Sequence, residues 1–199
     1  MWSPAKYKNK HEPIFEPWFR WLRFGVFEVM RKDNLLKQNT HIFDFGCGPS
    51  APFFSYLLDN DYQYDYVGFD PLYDETNKKR GLSIKSSLSE VKNDHFDIIT
   101  MFAVLEHLNY PDFDFSPIIN KLHKGGYLFL TTPTPYSKPV LEFLSYRLGL
   151  VSRREIEEHK HYYSLREIVD LFSKKYGLLY IRGSRFELLM NQYAIFKKA

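Results

Sequence analysis

The stretch that most constrains this chain is His41-Ile42-Phe43-Asp44-Phe45-Gly46-Cys47-Gly48-Pro49-Ser50-Ala51-Pro52. It opens as a short apolar run of strand-forming residues. Two glycines one residue apart end the run, followed by Pro49 and Ser50. Ser50 has the side chain of a helix cap, and Pro52 suits a first helical turn. The segment therefore predicts strand, tight turn, helix. Glycine admits positive φ and lets a ligand approach bare backbone. A helix N-terminus adds free N–H groups. In an open α/β sheet this is where a nucleotide-like ligand sits, beyond the carboxyl end of the first strand. A tight turn with no ligand satisfies the same pattern, so the motif alone leaves both readings open. The next strand-like run, Tyr66-Val67-Gly68-Phe69, favours the ligand. It ends in Asp70, roughly 20 residues past Gly48, where a carboxylate accepts two ribose hydroxyls.

Two cofactor classes fit this arrangement, dinucleotides and S-adenosylmethionine. Gly46-x-Gly48-x-x-Ala51 satisfies the loose dinucleotide pattern. The run Phe96-Asp97-Ile98-Ile99-Thr100-Met101-Phe102-Ala103-Val104-Leu105-Glu106-His107-Leu108 separates the two. It resembles the fourth strand and following turn of class I S-adenosylmethionine-dependent methyltransferases. Asp44-Phe45-Gly46-Cys47-Gly48-Pro49 is similar to their glycine motif, and Gly68-Phe69-Asp70 to their ribose motif. Residues 124–133, KGGYLFLTTP, look like their fifth strand with its preceding Gly-Gly turn.

The resemblance implies an α/β fold, the Rossmann-like three-layer sandwich of class I methyltransferases. Its seven-stranded, mostly parallel sheet runs 3-2-1-4-5-7-6 and closes with a C-terminal antiparallel hairpin. The implied cofactor is S-adenosyl-L-methionine, with S-adenosyl-L-homocysteine as product. The implied reaction is methyl transfer to a small molecule or to a sugar- or lipid-linked biosynthetic intermediate. The implied cofactor residues are Asp44, Gly46, Cys47 and Gly48 in the loop and Asp70 and Pro71 after the second strand. Ser87 and Leu88 fall near the adenine, and Phe102, Ala103 and His107 follow the fourth strand. The family's usual acidic residue near adenine is absent here, which leaves that role to backbone or serine hydroxyls, or leaves an ordinary Ser-rich turn. A non-catalytic S-adenosylmethionine-binding regulatory or scaffold module would keep the same loop and Asp70. A nicotinamide-dependent oxidoreductase is disfavoured by the LEHL stretch and the terminal hairpin.

At 199 residues with 44% apolar side chains, the chain reads as one domain with a sizeable core. Residues 1–38 read as an N-terminal helical cap, 39–132 as the cofactor core, 133–163 as an acceptor-side insertion, and 164–199 as the final helix and hairpin. Net charge of +3 is too small by itself to argue for nucleic acid or a membrane. A lone cysteine excludes an intrachain disulfide framework and suits a reducing, cytoplasmic setting. No run of about 18 apolar residues predicts a membrane span. The first dozen residues read as a solvated basic arm. Residues 14–37 are apolar at helical spacing, with Arg20, Arg23, Arg31 and Lys32 on other faces. Such a helix covers the sheet, closes over a cofactor, or touches a membrane surface. Further helices are expected at 53–58, at 113–123 with Lys124-Gly125-Gly126 ending it in a left-handed glycine cap, at 140–150 and at 164–176, the last opened by a Ser164-x-x-Glu167 capping box. Strands are expected near 64–69, 82–84, 127–132, 178–184 and 188–197. The charged run 74–80 reads as a loop. Oligomeric state is left open.

Methyl transfer is an in-line displacement that needs alignment and water exclusion, and a hydroxyl acceptor gains from a general base. The candidates are His107 and Glu106 after the fourth strand, and His159 and His161 in the insertion. Each has an ordinary reading too: a turn support for Glu106 and His107, a loop hydrogen bond for the other two. The insertion lies outside the common cofactor core, which makes His159 or His161 the expected base, titrating near neutral pH. No neighbouring Asp, His or Cys set in the sequence completes a metal site around His159 and His161, so no metal is expected. Cys47 reads as a small residue that fits the loop.

Overall fold

The computed structural model describes residues 16–37, 39–60, 62, 64–73 and 82–199. The N-terminal arm and the charged run 74–80 lie outside the described residues.

A seven-stranded sheet runs through the molecule. Its strands are β1 (His41–Phe45), β2 (Asp65–Phe69), β3 (Ser83–Lys85), β4 (Phe96–Phe102), β5 (Leu122–Pro133), β6 (Leu179–Phe186) and β7 (Asn191–Lys197). The order is β3-β2-β1-β4-β5-β7-β6, as the family resemblance implies. The first five strands pair in parallel, and β7 pairs antiparallel with both β5 and β6.

Alternation of side chains across β1 and β4 divides the core into two layers. Phe43, Phe45, Ile99 and Met101 point to one side, where Ile118 and Ile119 of α4 (Ser116–Ile119) and Ile168 of α7 (Leu165–Val169) cover them. Ile42, Ile98 and Phe129 point to the other side. There Phe24 of α1 (Glu16–Val26), Met30 of α2 (Glu28–Lys32) and Phe53 and Leu57 of α3 (Pro52–Asp59) complete the layer. Central strands buried on both faces are mostly apolar, as Ile42, Phe43 and Phe45 of β1 are, with Asp44 the buried exception.

Several local expectations change. The N-terminal helix is two helices, broken at Phe27, where tight i to i+3 hydrogen bonds replace the α-helical ladder. Phe27 is buried edge-on against Phe53 and Phe129. Ser50 is not the cap of α3; that position is Ala51, left-handed at φ 42°, with Pro52 starting the helix. The helix expected over 113–123 is one turn, α4. Leu122 already pairs with Phe96 as the start of β5. Gly125, at φ 85°, belongs to an irregularity inside β5 rather than to a helix cap.

The insertion carries α5 (Ser137–Tyr146) and α6 (Arg153–Glu157). α6 pairs Arg153 with Glu157 and Arg154 with Glu158, the solvated arrangement its sequence predicts. The capping box at Ser164 forms: its Oγ accepts from the Glu167 N–H, and its N–H donates to the Glu167 carboxylate. α7 continues as a π-helical segment over Asp170–Lys175 and ends before Gly177, at φ 69°. No described helix is long and apolar enough to cross a membrane.

Candidate active site

The carboxyl ends of β1, β2 and β4 open into a cavity of about 770 Å³, within the usual range for small-molecule sites. The glycine loop forms its floor. Gly46 and Cys47 donate their N–H groups to the Phe69 carbonyl, at 2.8 and 3.0 Å, which draws the loop over the end of β2. Asp70 locks it further: Oδ2 accepts from the Gly48 N–H at 3.0 Å, and Oδ1 from the Leu72 N–H at 2.9 Å. Each oxygen keeps a lone pair for a second donor. Gly46 sits at φ 75°, and a Cβ there would lie 2.5 Å from a Val104 methyl. Gly48 is also left-handed, and a Cβ there would meet only Pro52, at 4.0 Å, so its bare backbone faces open space. This is a cradle a ligand can enter closely.

Asp44 lies behind the loop, buried, accepting hydrogen bonds from Tyr66 Oη and Thr100 Oγ1, both at 2.7 Å. Desolvation lifts its pKa to about 6, against the pull of those two hydroxyls. The Cys47 thiol is buried and raised far above its ordinary value, first by desolvation and then by Asp44 and Asp70. It stays protonated and acts as a small filler, not a nucleophile. Pro71, Leu88, Phe102, Ala103 and His107 also line the cavity. Ala103 is held at φ 54°, a strained position of the kind that gathers at functional sites. Ser87 is not among the lining residues; its hydroxyl accepts from the Ser89 N–H at the start of a short 3₁₀ turn, Leu88–Glu90.

The two candidate histidines of the insertion part company. The Glu106 carbonyl accepts from the Lys160 N–H at 2.8 Å, stitching the LEHL turn to the loop after α6. His159 is thereby laid edge-on against His107, ring centroids 4.8 Å apart, and both line the cavity. His159 Nδ1 lies 3.0 Å from Tyr162 Oη. Desolvation, then the nearby charges of His107 and Arg23, lower its pKa to about 4. His161 instead turns outward. It pairs with Glu167 at 3.1 Å and stacks on Tyr110, outside the cavity. Glu106 is buried, accepts from Thr132 Oγ1 at 3.0 Å, and has its pKa raised by desolvation.

Arg20 and Arg23 line the cavity from α1; the sequence allows this helix to close over a cofactor but does not single out these two as site residues. Their spacing on the face beside Phe19 and Phe24 was the available signal. Sequence reasoning missed a cluster. Donor atoms of Glu106, His107 and His159 lie within 4.8 Å of one another, an assembly of distant segments that neighbour-counting along the chain does not see. The Arg23 charge acts on both Glu106 and His159, which works against a cation there.

A family profile described as a methyltransferase domain matches residues 22–182. The mitochondrial ubiquinone biosynthesis O-methyltransferase of Candida albicans is 30% identical over 122 residues, covering 53% of this chain and 36% of that protein. The chain thus matches only about a third of the length of that curated relative. The S-adenosylmethionine-dependent methyltransferase of Mesorhizobium loti superposes with a TM-score of 0.60 at 16% identity, over 88% of this chain and 100% of that one. The S-adenosylmethionine-dependent methyltransferase of Archaeoglobus fulgidus gives 0.61 at 17% identity, over 93% and 98%. A Burkholderia thailandensis 1,6-didemethyltoxoflavin-N1-methyltransferase, with S-adenosylhomocysteine bound, gives 0.62 at 10% identity, over 89% and 77%. Sheet order, glycine loop, acid-ended second strand and family profile agree: the chain belongs to the methyltransferase-domain family, the S-adenosylmethionine-dependent methyltransferases of class I fold.

Proposed function

We propose that the chain transfers a methyl group from S-adenosylmethionine to a hydroxyl oxygen of a small molecule, or of a sugar- or lipid-linked intermediate. One observation carries the reading. The glycine loop with Asp70 and the pair His107 and His159 share a single cavity. Cofactor and acceptor therefore have room to meet within it. The choice of oxygen is supported by the relative whose name is that of an O-methyltransferase.

The donor groups fit the cofactor. Gly48 leaves bare backbone facing the cavity, and the Asp70 oxygens have lone pairs left for ribose hydroxyls. Arg20 and Arg23 supply positive charge for a carboxylate. The Asp44 carboxylate supplies negative charge toward a cationic ligand. When bound, the cofactor contributes a methyl group already activated on a sulfonium leaving group. The protein's part is alignment and a proton sink. In the tautomer whose Nδ1–H donates to Tyr162 Oη, the Nε2 of His159 carries a free lone pair, on a residue that lines the cavity. Its lowered pKa keeps it neutral through physiological pH. So weak a base suits a hydroxyl that is already acidic, a phenol or enol, better than an alkyl alcohol. Phe24, Phe53 and Phe102 pack ring to ring beside the site and give it an aromatic wall.

The test is incubation with methyl-labelled cofactor and a metabolite extract, read by product mass spectrometry. Label on the oxygen of an acidic hydroxyl is the expected result. Label on nitrogen or carbon would contradict the proposal. So would cofactor binding with no turnover of any fraction, which would favour a non-catalytic binding module.

A further inference from the structure

We propose that the rim of the cavity formed by α5 and the β6–β7 turn docks on an anionic lipid surface. This goes beyond methyl transfer and does not depend on it.

The turn at 187–190 is built in a costly way. Glu187, Leu188 and Leu189 are three consecutive non-glycine residues with left-handed backbone, at φ 49°, 53° and 69°. Gly or Asn relieves such positions, and leucine does not. Yet Leu188 is 93% and Leu189 56% exposed, so neither side chain returns packing for that strain. The turn is also held firmly. The Thr134 N–H donates to the Met190 carbonyl and its Oγ1 to the Leu189 carbonyl, both at 2.8 Å. Two leucines are thus fixed in water by a strained, anchored turn. Strain of this kind persists where it serves a function.

The neighbouring surface matches. Tyr136, Val140 and Phe143 recur at i, i+4 and i+7 along α5 and are 67%, 42% and 55% exposed. The Arg185 guanidinium lies 5.0 Å over the Tyr136 ring, which joins β6 to this stripe. Arg147, exposed, follows α5 on the side of this stripe, while Lys138 lies on the other side of the helix with its Nζ 5.9 Å over the Tyr162 ring. Glu142 and Glu187 are the acids on these elements, both half-buried. α6, which meets α5 through Arg153 over the Tyr146 ring, adds exposed Glu157 and Glu158, each paired with an arginine of its own helix. The exposed charges beside the leucines and the aromatic stripe are therefore cations. Leucine and aromatic side chains bordered by the cations Arg147 and Arg185 have the composition of a surface that inserts shallowly among anionic headgroups. A second copy of this chain would bring the same cations against themselves, which disfavours it as occupant. The location adds a reason. Pro133, Leu141, Met190 and Asn191 of these same elements line the cavity, so the docked face is its rim. An acceptor held in a lipid layer would meet the opening directly.

The experiment is co-sedimentation of the full chain with vesicles of phosphatidylcholine alone and of phosphatidylcholine with phosphatidylglycerol. The two variants are Leu188→Gly/Leu189→Gly and Phe143→Ser. The glycine pair relieves backbone strain and should keep or raise the melting temperature, so lost binding cannot be blamed on unfolding. Wild type should sediment with the anionic vesicles, less so as salt rises. Each variant should partition at least about tenfold more weakly. Absence of wild-type binding would overturn the proposal, as would equal binding to neutral vesicles or variants that bind like wild type. A dimer in solution that the glycine pair dissolves, without vesicle binding, would assign the face to a second copy instead.

Discussion

At the scale of single residues, Asp44 is the clearest case of function set against stability. Its folded pKa of about 6 lies above the ordinary aspartate value because burial disfavours the charge more than Tyr66 and Thr100 favour it. A folded pKa raised above the unfolded one means that folding takes up a proton between those values. Stability is therefore higher at low pH and falls as pH rises through about 6. The charged form costs roughly 3 kcal/mol at neutral pH. Asp44→Asn should stabilise the protein by about 1–3 kcal/mol at pH 7 while weakening cofactor binding. In denaturant titrations the gain should fade toward pH 4; a gain that does not change with pH would contradict this account.

His159 and His161 give the second residue-scale prediction. His159→Ala should lower turnover by about 10²–10⁴-fold with cofactor affinity nearly unchanged. His161→Ala should keep near-normal turnover and lose some stability, since it gives up the Glu167 pair and the Tyr110 stack. Because the His159 pKa is about 4, turnover should be flat through neutrality and fall only toward that value. That differs from the near-neutral inflection an unperturbed imidazole implies. Equal losses in the two alanine variants, measured as initial rates, would remove His159 from the proposed chemistry. Since the Arg23 charge bears on both Glu106 and His159, and the cofactor's methyl group needs no metal to activate it, a strong chelator should leave turnover unchanged. Loss of activity with EDTA, restored by a divalent ion, would reverse that reading.

At the scale of elements, the glycine loop shows what a sequence does and does not reveal. Gly46-x-Gly48 predicts a tight turn, and the turn is there. The reason Gly46 tolerates no side chain is Val104 from the turn after β4, a contact no local pattern announces. Gly46→Val should therefore destabilise the fold as well as the site, by about 2 kcal/mol or more. A variant that melts like wild type but loses the cofactor would place the restriction on the ligand alone. The capping box at Ser164 was legible because all its atoms belong to four consecutive residues. The pair Gly125-Gly126 was misread because glycine ends helices and sits in strand bulges equally well. Only the pairing of Leu122 with Phe96 decides between them. Ser50 was misread as a cap because its hydroxyl suits the role, whereas the observed cap, Ala51, works through backbone alone. The insertion was legible as charged and apolar segments. Which of its histidines faces the cavity was not, because the bond from the Lys160 N–H to the Glu106 carbonyl sets the direction of that loop.

At the scale of the molecule, the sheet order follows from ordered motifs whose spacing leaves few alternatives, and the antiparallel β6–β7 pair closes it as the family resemblance implies. For α1 the sequence leaves open, among its readings, both a cover for the sheet and a closure over a cofactor, and its Phe24 packs on the sheet. Its arginines joining the cavity depend on where that cover comes to rest. The central claim is that this sheet edge, with its glycine loop and Asp70, is a site for an adenosyl sulfur cofactor. Isothermal titration of the full chain with S-adenosylhomocysteine and, separately, with NAD tests it most directly. The account predicts saturable binding of S-adenosylhomocysteine and none of NAD. Saturation at about 100 times the dissociation constant would stabilise the fold by roughly 2.7 kcal/mol. Binding of NAD without binding of S-adenosylhomocysteine would contradict it.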